Sequence, residues 1–334
     1  MNTEDNSLLT ILITSHNRAE YVDKILEILY SYQKRNLVFS IVVSDDHSID
    51  NTQEVCSRWE KHLKNYRYII LPSNVGMDGN FVSAYSSCTT EYCWLLGDHR
   101  YVVFEELERI LSILKKKEYD ALILNCHPRN TLPGQQYTEI NKLLLDLGYN
   151  ITNNASCIIP TSFFSEWAYK RYYGTTFLHM GIFVENLCHK DQFKVLFIHD
   201  IRVKDIILPI PFTQTGWVCH PFLNFGKLWY EFVMSLPNQI DIDNKFEVLL
   251  SHNRKTELFN IRDVVDNRKK YGDVYVKNYK ENRKYVPYVS DTPVWRYDLK
   301  ILVIPLSVFH FIEMVKKIIP FLKYRIRSIM RYGK

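Results

Sequence analysis

No two of the seven cysteines (56, 88, 93, 126, 157, 188 and 219) stand in a CxxC pair, and their number is odd. Widely scattered thiols exclude a disulfide framework and a zinc site, and predict reduced, mostly buried side chains in a cytosolic compartment. No long hydrophobic run is present either. The longest uncharged apolar stretch, Ile301 to Ile312, is about 12 residues, short of the ~20 that a membrane-spanning helix needs. The amino terminus, MNTEDNSLLTILITSHN, has acidic residues where a secretory signal carries basic ones, so no leader is expected. There is no internal repeat and no low-complexity linker. Nor is there a strong charge of one sign. Lys and Arg number 42 against 37 Asp and Glu, and the net +5 is too mild to predict a nucleic-acid partner.

What remains is an ordinary globular composition, 46% hydrophobic and 24% charged over 334 residues. It suits two domains, or one large domain with an appendage. The positive charge sits at one end. Arg296–Lys334 holds nine Lys or Arg against Asp298 and Glu313, a balance of +7, which leaves −2 for residues 1–295. Wound as a helix, Lys316–Lys334 places Ile318, Ile319, Leu322, Ile326, Ile329 and Met330 on one side. Lys316, Lys323, Arg327, Arg331 and Lys334 fall on the other. Arg325 breaks the pattern, and Pro320 should kink or divide the helix. A basic amphipathic helix after an apolar segment predicts attachment to an anionic membrane surface. The alternative is a helix packed on the slightly acidic body.

Hydrophobic spacing predicts strands at Leu8–Ile13, Phe39–Ser44, Tyr68–Leu71, Glu91–Leu96 and Ala121–Asn125. Helices are expected at Arg18–Tyr32, Asn51–His62 (capped by Asp50), Asn80–Ser87 and Glu105–Lys117. Beyond residue 127 the rhythm loosens. A strand at Ser156–Ile159, helices at Thr161–Tyr172 and Phe177–His189, and strands at Lys194–His199 and Ile206–Ile210 are expected, with a mixed region over 217–290. Alternating strands and helices imply an α/β fold with a mostly parallel sheet, whose ligands bind at the carboxyl ends of strands. The polar clusters Thr14–Arg18, Asp45–Asp50, Asn74–Asn80 and Asp98–Arg100 all follow strands, so they converge on one edge.

Four of these runs carry a resemblance: Thr14-Ser15-His16-Asn17-Arg18, Asp45-Asp46-His47-Ser48-Ile49-Asp50-Asn51-Thr52, Asn74-Val75-Gly76, and Trp94-Leu95-Leu96-Gly97-Asp98. In this order and spacing the first hundred residues resemble family 2 glycosyltransferases of the GT-A fold; the second run matches the family's D-D-x-S-x-D-x-T. The resemblance implies a nucleotide-sugar-binding half over 1–125, an acceptor-binding half over 126–295 and a membrane-associating tail over 296–334. It implies inverting transfer of a sugar from a nucleoside diphosphate sugar to a glycan. With the tail on a membrane, that acceptor is a lipid-linked oligosaccharide, as for bacterial capsule, O-antigen and lipopolysaccharide transferases. The expected location is the inner face of the cytoplasmic membrane. Asp45, with Asp46, is expected to accept hydrogen bonds from the donor's base and ribose. Thr14, Ser15 and Asn17 line that end, Arg18, Asp98 and Arg100 lie nearer the phosphates, and Asn74 and Gly76 complete the site. Turn formation and helix capping account equally for Ser48 and Asp50.

The resemblance has a gap. Relatives usually carry two or three carboxylates after the fourth strand, which bind Mg2+ or Mn2+. Here the run is Gly97-Asp98-His99-Arg100. Three readings stay open: Asp98 and His99 hold a Mn2+-like ion; Arg100 supplies the positive charge and no metal is needed; or the protein is a degenerate binding or scaffold relative. His179 and Glu185 are the candidates for the base that deprotonates the acceptor, with Asp191 more distant. Nothing in their spacing singles out His220 or His252 as metal ligands. A nucleotide-sugar pyrophosphorylase would need a glycine-rich loop after the first strand, and Thr14–Arg18 offers no glycine.

Overall fold

The computed structural model describes residues 7–127, 130–209, 219–309, 311 and 315. The tail helix expected over Lys316–Lys334 lies outside them. The chain divides into two compact units, Met1–Thr213 with Leu228–Thr256, and Gln214–Lys227 with Glu257–Lys334.

The first unit is built on β1 (Leu9–Ser15), β2 (Ser40–Asp45), β3 (Tyr66–Ile70), β4 (Tyr92–Leu95), β5 (Arg100–Tyr101), β6 (Ala121–Asn125), β7 (Gln135–Tyr137), β8 (Cys157–Pro160), β9 (Val195–Arg202) and β10 (Lys204–Asp205). Eight of them form one sheet in the order β3-β2-β1-β4-β8-β6-β9-β7; β5 and β10 make a separate two-stranded ribbon. β3, β2, β1 and β4 run parallel, as do β6 and β9, while β8 and β7 are antiparallel to their neighbours. The sheet is thus mixed and mostly parallel. It is continuous across residue 125, because β6 pairs with both β8 and β9.

The helices of this unit are α1 (Ala19–Lys34), α2 (Thr52–Trp59), α3 (Gly76–Ser86), α4 (Phe104–Lys116), α5 (Ile140–Ile151), α6 (Glu166–Tyr172), α7 (Leu178–Cys188), α8 (Trp229–Ser235) and α9 (Ile242–Thr256). α1 buries Tyr21, Ile25, Leu29 and Tyr32, the positions whose helical spacing predicts this helix, together with Val22 and Leu26. β1 and β2 are buried along nearly their whole length, as parallel strands covered on both faces must be. Trp94 is fully buried at the sheet centre, where its indole N–H donates to the Ala155 carbonyl at 2.8 Å.

Several boundaries differ from expectation for definite reasons. α3 begins at Gly76, four residues before the expected start, because the Asp46 carboxylate accepts from the N–H groups of Val75 (2.7 Å) and Gly76 (2.9 Å). That cap comes from another loop, so local sequence does not reveal it. The helix expected over Thr161–Tyr172 is interrupted by an extended Ser165, leaving a short turn and α6. The strand expected over Ile206–Ile210 is replaced by β10, and residue 210 is outside the described ones. β7 and α5 have no counterpart among the expected elements. None of the seven cysteines forms a disulfide; only Cys56 and Cys93 are fully buried, fewer than expected.

α7 packs on α6 at Gly181. A methyl group there would lie 2.2 Å from Cγ of Tyr172, whose ring is pinned because its hydroxyl donates to Glu185. Gly181→Ala should therefore destabilise the protein by about 1–3 kcal/mol. Urea unfolding checks this; an unchanged midpoint would show that the ring has room to move.

The second unit contains α10 (Ile261–Asn282), bent at Gly272 where φ is +54°, then α11 (Val286–Val289) and α12 (Val294–Asp298). Much of the mixed region expected over 217–290 is therefore helical. Phe222 sits among Phe259, Tyr275 and Tyr279, with ring centroids 5.2, 5.4 and 4.9 Å away. Two of the buried hydroxyls have partners, Tyr279 donating to Asp298 (2.7 Å) and Tyr297 to the Phe259 carbonyl (2.7 Å), while that of Tyr275 has none.

Candidate active site

The parallel register fixes which loops meet. Ser15 pairs with Asp45 and Leu12 with Leu95, so Asp98, three residues past Leu95, comes level with Ser15, three past Leu12. The Ser15 hydroxyl donates to Asp98 at 2.8 Å. Thr14, half-buried, stands beside Ser44 on the neighbouring strand.

The loops after β1, β2 and β3 are tied together by the residues expected to meet the donor. Asp45 is only 1% exposed and accepts from the Ser48 N–H (2.9 Å), the Ser48 hydroxyl and the Tyr68 hydroxyl (2.7 Å). Asp46 is spent on capping α3. Asp50 accepts from the N–H groups of Ala19 and Thr52, both at 3.0 Å. Asn17 takes a left-handed backbone (φ +54°), donates its N–H to Ser48 (2.8 Å) and accepts from the Ile49 N–H (2.8 Å). Exposed His16 lies 2.7 Å from the Asp46 carbonyl, which can only accept, so its Nδ1 carries the proton. Its Nε2 accepts from the amides of Asn17 (2.9 Å) and Asn74 (3.1 Å). Gly76 has φ +77°, the left-handed region where glycine is unstrained. The carboxylates of this group therefore shape the loops, and Asp45, with three donors, has about one acceptor position left for a nucleotide.

Around Asp98 the arrangement is a chain of four side chains. Asp98 is 3% exposed; its Oδ1 accepts from Arg18 (3.0 Å) and lies 3.0 Å from His99 Nδ1. His99 Nε2 accepts from Nε–H of Arg100 at 3.3 Å, so the ring proton is on Nδ1 and points at Asp98. Arg100 also donates to Asn153 and faces the exposed Asp205 at 3.6 Å. It is seated by the β5–β10 ribbon, in which it pairs with Asp205. Burial alone would push the Asp98 carboxyl up. The His99 hydrogen bond, the Arg18 charge and the Ser15 hydroxyl outweigh it and hold the group below the usual carboxylate range.

These contacts bear on the expected metal pair. Asp98 is engaged by a guanidinium and His99 has both ring nitrogens in use, so neither presents a ready ligand to Mn2+ or Mg2+. Among the described residues no three His, Cys, Asp or Glu side chains are grouped to hold a metal ion. A Mg2+ ion that keeps waters and substrate phosphates still uses one or two carboxylates; the single carboxylate here, Asp98, has its Oδ1 held by Arg18 and beside His99, so as paired the donor set fits a divalent cation poorly.

The candidate bases separate clearly. Glu185 is buried, and its carboxylate accepts from the Tyr172 hydroxyl and from Arg171 (3.1 Å), which gives it a packing role between α6 and α7. His179, in the first turn of α7, lies with Nε2 3.1 Å from the Thr152 carbonyl, which fixes the proton on Nε2. Its Nδ1 is buried and has no hydrogen-bond partner. Burial pushes its pKa down to about 4, so the ring is neutral. Asp191 is exposed just past α7. His220 lies in the second unit, and His252 on α9 packs against Trp229 (5.2 Å).

Two residues were not anticipated. Asp78 on α3 accepts from the N–H groups of Gly174 (2.8 Å) and Thr176 (3.2 Å), clamping the loop that leads to His179. Burial holds its carboxyl above the usual range, and its Oδ1 has no partner. Asn80 donates to the Ser15 carbonyl (3.2 Å) and leaves its Oδ1 unpartnered. The polar run Asn74–Asn80 held both, but only its first three residues belong to the recognisable motif.

Residues 10–174 match Glycosyl transferase family 2. They form a family 2 glycosyltransferase domain. Abequosyltransferase RfbV of Salmonella typhimurium is 33% identical over 94 residues, 27% of this chain and 27% of that protein. The dolichyl-phosphate beta-glucosyltransferase of Dictyostelium discoideum is 23% identical over 168 residues, 47% of this chain and 51% of that protein. The chain thus spans about a quarter to a half of the length of these relatives. Among solved structures, S. aureus TarS 1–349 in complex with UDP-GlcNAc superposes with a TM-score of 0.58 at 12% identity, covering 88% of this chain and 84% of that one. The mannosyltransferase PcManGT of Pyrobaculum calidifontis, in complex with GDP-Man and Mn2+, gives 0.54 at 11% identity, covering 89% and 86%. These likenesses concern the fold, which is GT-A.

Proposed function

We propose that the chain is an inverting glycosyltransferase that moves a sugar from a nucleoside diphosphate sugar to a lipid-linked glycan in the synthesis of a bacterial surface polysaccharide. The observation that carries this reading is the meeting of Ser15, Arg18, Asp98 and Arg100 at the carboxyl ends of β1 and β4, inside a family 2 domain. The donor lies along that edge, with its base and ribose toward Thr14, Asn17, Asp45 and Asn74. An acceptor hydroxyl gives its proton to Nδ1 of His179 as its oxygen bonds the anomeric carbon. The bond from that carbon to the diphosphate breaks, and its electron pair leaves with the nucleoside diphosphate. The lipid phosphate in the name of one relative, a dolichyl-phosphate beta-glucosyltransferase, supports an acceptor of this class.

Membrane placement rests on the basic carboxyl-terminal stretch and on apolar side chains that precede it. Trp295, Val303 and Phe311 are 62%, 66% and 59% exposed. Among the described residues no helix is long and apolar enough to cross a membrane, so attachment would be peripheral. The test of the whole reading is nucleoside diphosphate release from a panel of UDP-, GDP-, CDP- and dTDP-sugars by the purified protein. One donor class should be turned over at least ten times faster than the rest. Failure to bind any nucleotide would leave a binding or scaffold protein as the better account.

A further inference from the structure

We infer that this site neutralises the donor's diphosphate with two guanidinium groups, Arg18 and Arg100, where relatives use a divalent cation. The inference rests on the glycosyltransferase reading above and concerns how the same site holds its ligand. Its basis is the order of the four side chains, Arg18–Asp98–His99–Arg100, each joined to the next at 3.0 to 3.3 Å. The two groups that would ligate a metal are the two inner members. Each gives one polar atom to an arginine, Asp98 Oδ1 to Arg18 and His99 Nε2 to Arg100, so the aspartate and the imidazole act as holders of guanidinium.

The outer members are placed to receive an anion. Arg18 follows β1 and Arg100 follows β4, the adjacent strands at whose ends a ligand of this fold lies. The two guanidiniums outnumber the one carboxylate between them, so an anion meets a positive site even though a carboxylate is at its centre. Both guanidiniums are largely sheltered, with 11% and 20% of their side-chain surface exposed. Shelter strengthens their attraction for phosphate relative to a surface lysine. Arg100 has one partner that a ligand can replace: Asp205 is 70% exposed and only within 3.6 Å, so the diphosphate takes its place while Asn153 and His99 keep the guanidinium plane fixed. Pre-orientation of this kind suits the forked recognition of phosphate oxygens.

The experiment is titration of UDP and GDP into the full chain by calorimetry, once in EDTA and once in Mn2+. At least one nucleotide should bind in EDTA, within about threefold of its affinity in Mn2+. Arg100→Ala should weaken that binding by about 10- to 100-fold, the loss of one or two charge-assisted hydrogen bonds. Arg100→Lys should recover only part of it, since an ammonium keeps the charge and loses the fork. Asp205→Asn should tighten binding by removing the carboxylate that competes for Arg100. Thermal melts of each variant separate folding defects from binding defects. Binding that vanishes in EDTA and returns with Mn2+ would overturn the inference while leaving the glycosyltransferase reading intact. A wild-type protein that binds neither nucleotide nor any sugar nucleotide in either buffer would overturn both.

Discussion

Asp98→Ala should cost about 3–5 kcal/mol of stability, the range for stripping a buried ion of its partner, and should abolish measurable nucleotide binding. The cause is Arg18. Its guanidinium is 11% exposed and lies 3.0 Å from a carboxylate that is itself 4% exposed, so the variant removes a close opposite charge from a sheltered positive one. Ser15 and His99 lose their acceptor at the same time. Asp98→Asn should cost less, because the amide oxygen still accepts one bond, although the carboxylate charge beside Arg18 is lost. The pH dependence has a definite sign. The folded carboxyl titrates below the unfolded one, so its contribution is complete above the unfolded pKa of ~3.9. It is lost as pH falls through the lower folded value. The penalty, read from urea unfolding, should therefore be the same at pH 6 and pH 8, in EDTA as in Mn2+. A penalty seen only with Mn2+ present would make Asp98 a metal ligand after all.

The same pair shows how far the sequence could be read. Strands β1 to β4 and β6 were legible to within two residues, because parallel strands are short apolar runs closed by polar turns. Their carboxyl ends had to converge, and Ser15, Arg18 and Asp98 do meet. Pairing within the converged group was not legible. That Asp46 caps α3, that Asp45 answers Ser48 and Tyr68, and that His99 bridges Asp98 and Arg100 are facts of three loops folded against each other. A single carboxylate in Gly97-Asp98-His99-Arg100 was visible as a departure, but its meaning needed the distances. Asp78 was missed because its partners, Gly174 and Thr176, are backbone groups almost a hundred residues away, and backbone donors leave no trace in side-chain identity.

His179→Ala should lower turnover by about 10²- to 10⁴-fold, the range for a general base, with nucleotide affinity unchanged. The Thr152 carbonyl plays the part of an orienting group, since it takes the Nε2 proton and so leaves the lone pair on Nδ1. Asp78 fixes the approach by holding Gly174 and Thr176, both in left-handed backbone (φ +84° and +68°), just before α7. Burial sets the working pH range. With a folded pKa of about 4 the imidazole is an unprotonated acceptor at any pH near neutrality, so turnover should not fall between pH 7 and 5.5 on its account. Stability should respond with the opposite emphasis. Below the unfolded value of ~6.5 the unfolded chain takes a proton that the folded ring refuses, which costs up to ~1.4 kcal/mol per pH unit. The loss runs until pH reaches about 4 and then levels off. His252, pushed to about 3 by burial and then by His127, adds a slope of the same sign to wild type and variant alike, so it cancels in the comparison. His179→Ala should thus lose activity and gain acid tolerance together. A residue of purely structural importance would lose nucleotide affinity along with turnover, and that joint loss would return the search for a base to Asp78, whose Oδ2 holds the same loop and whose Oδ1 has no partner.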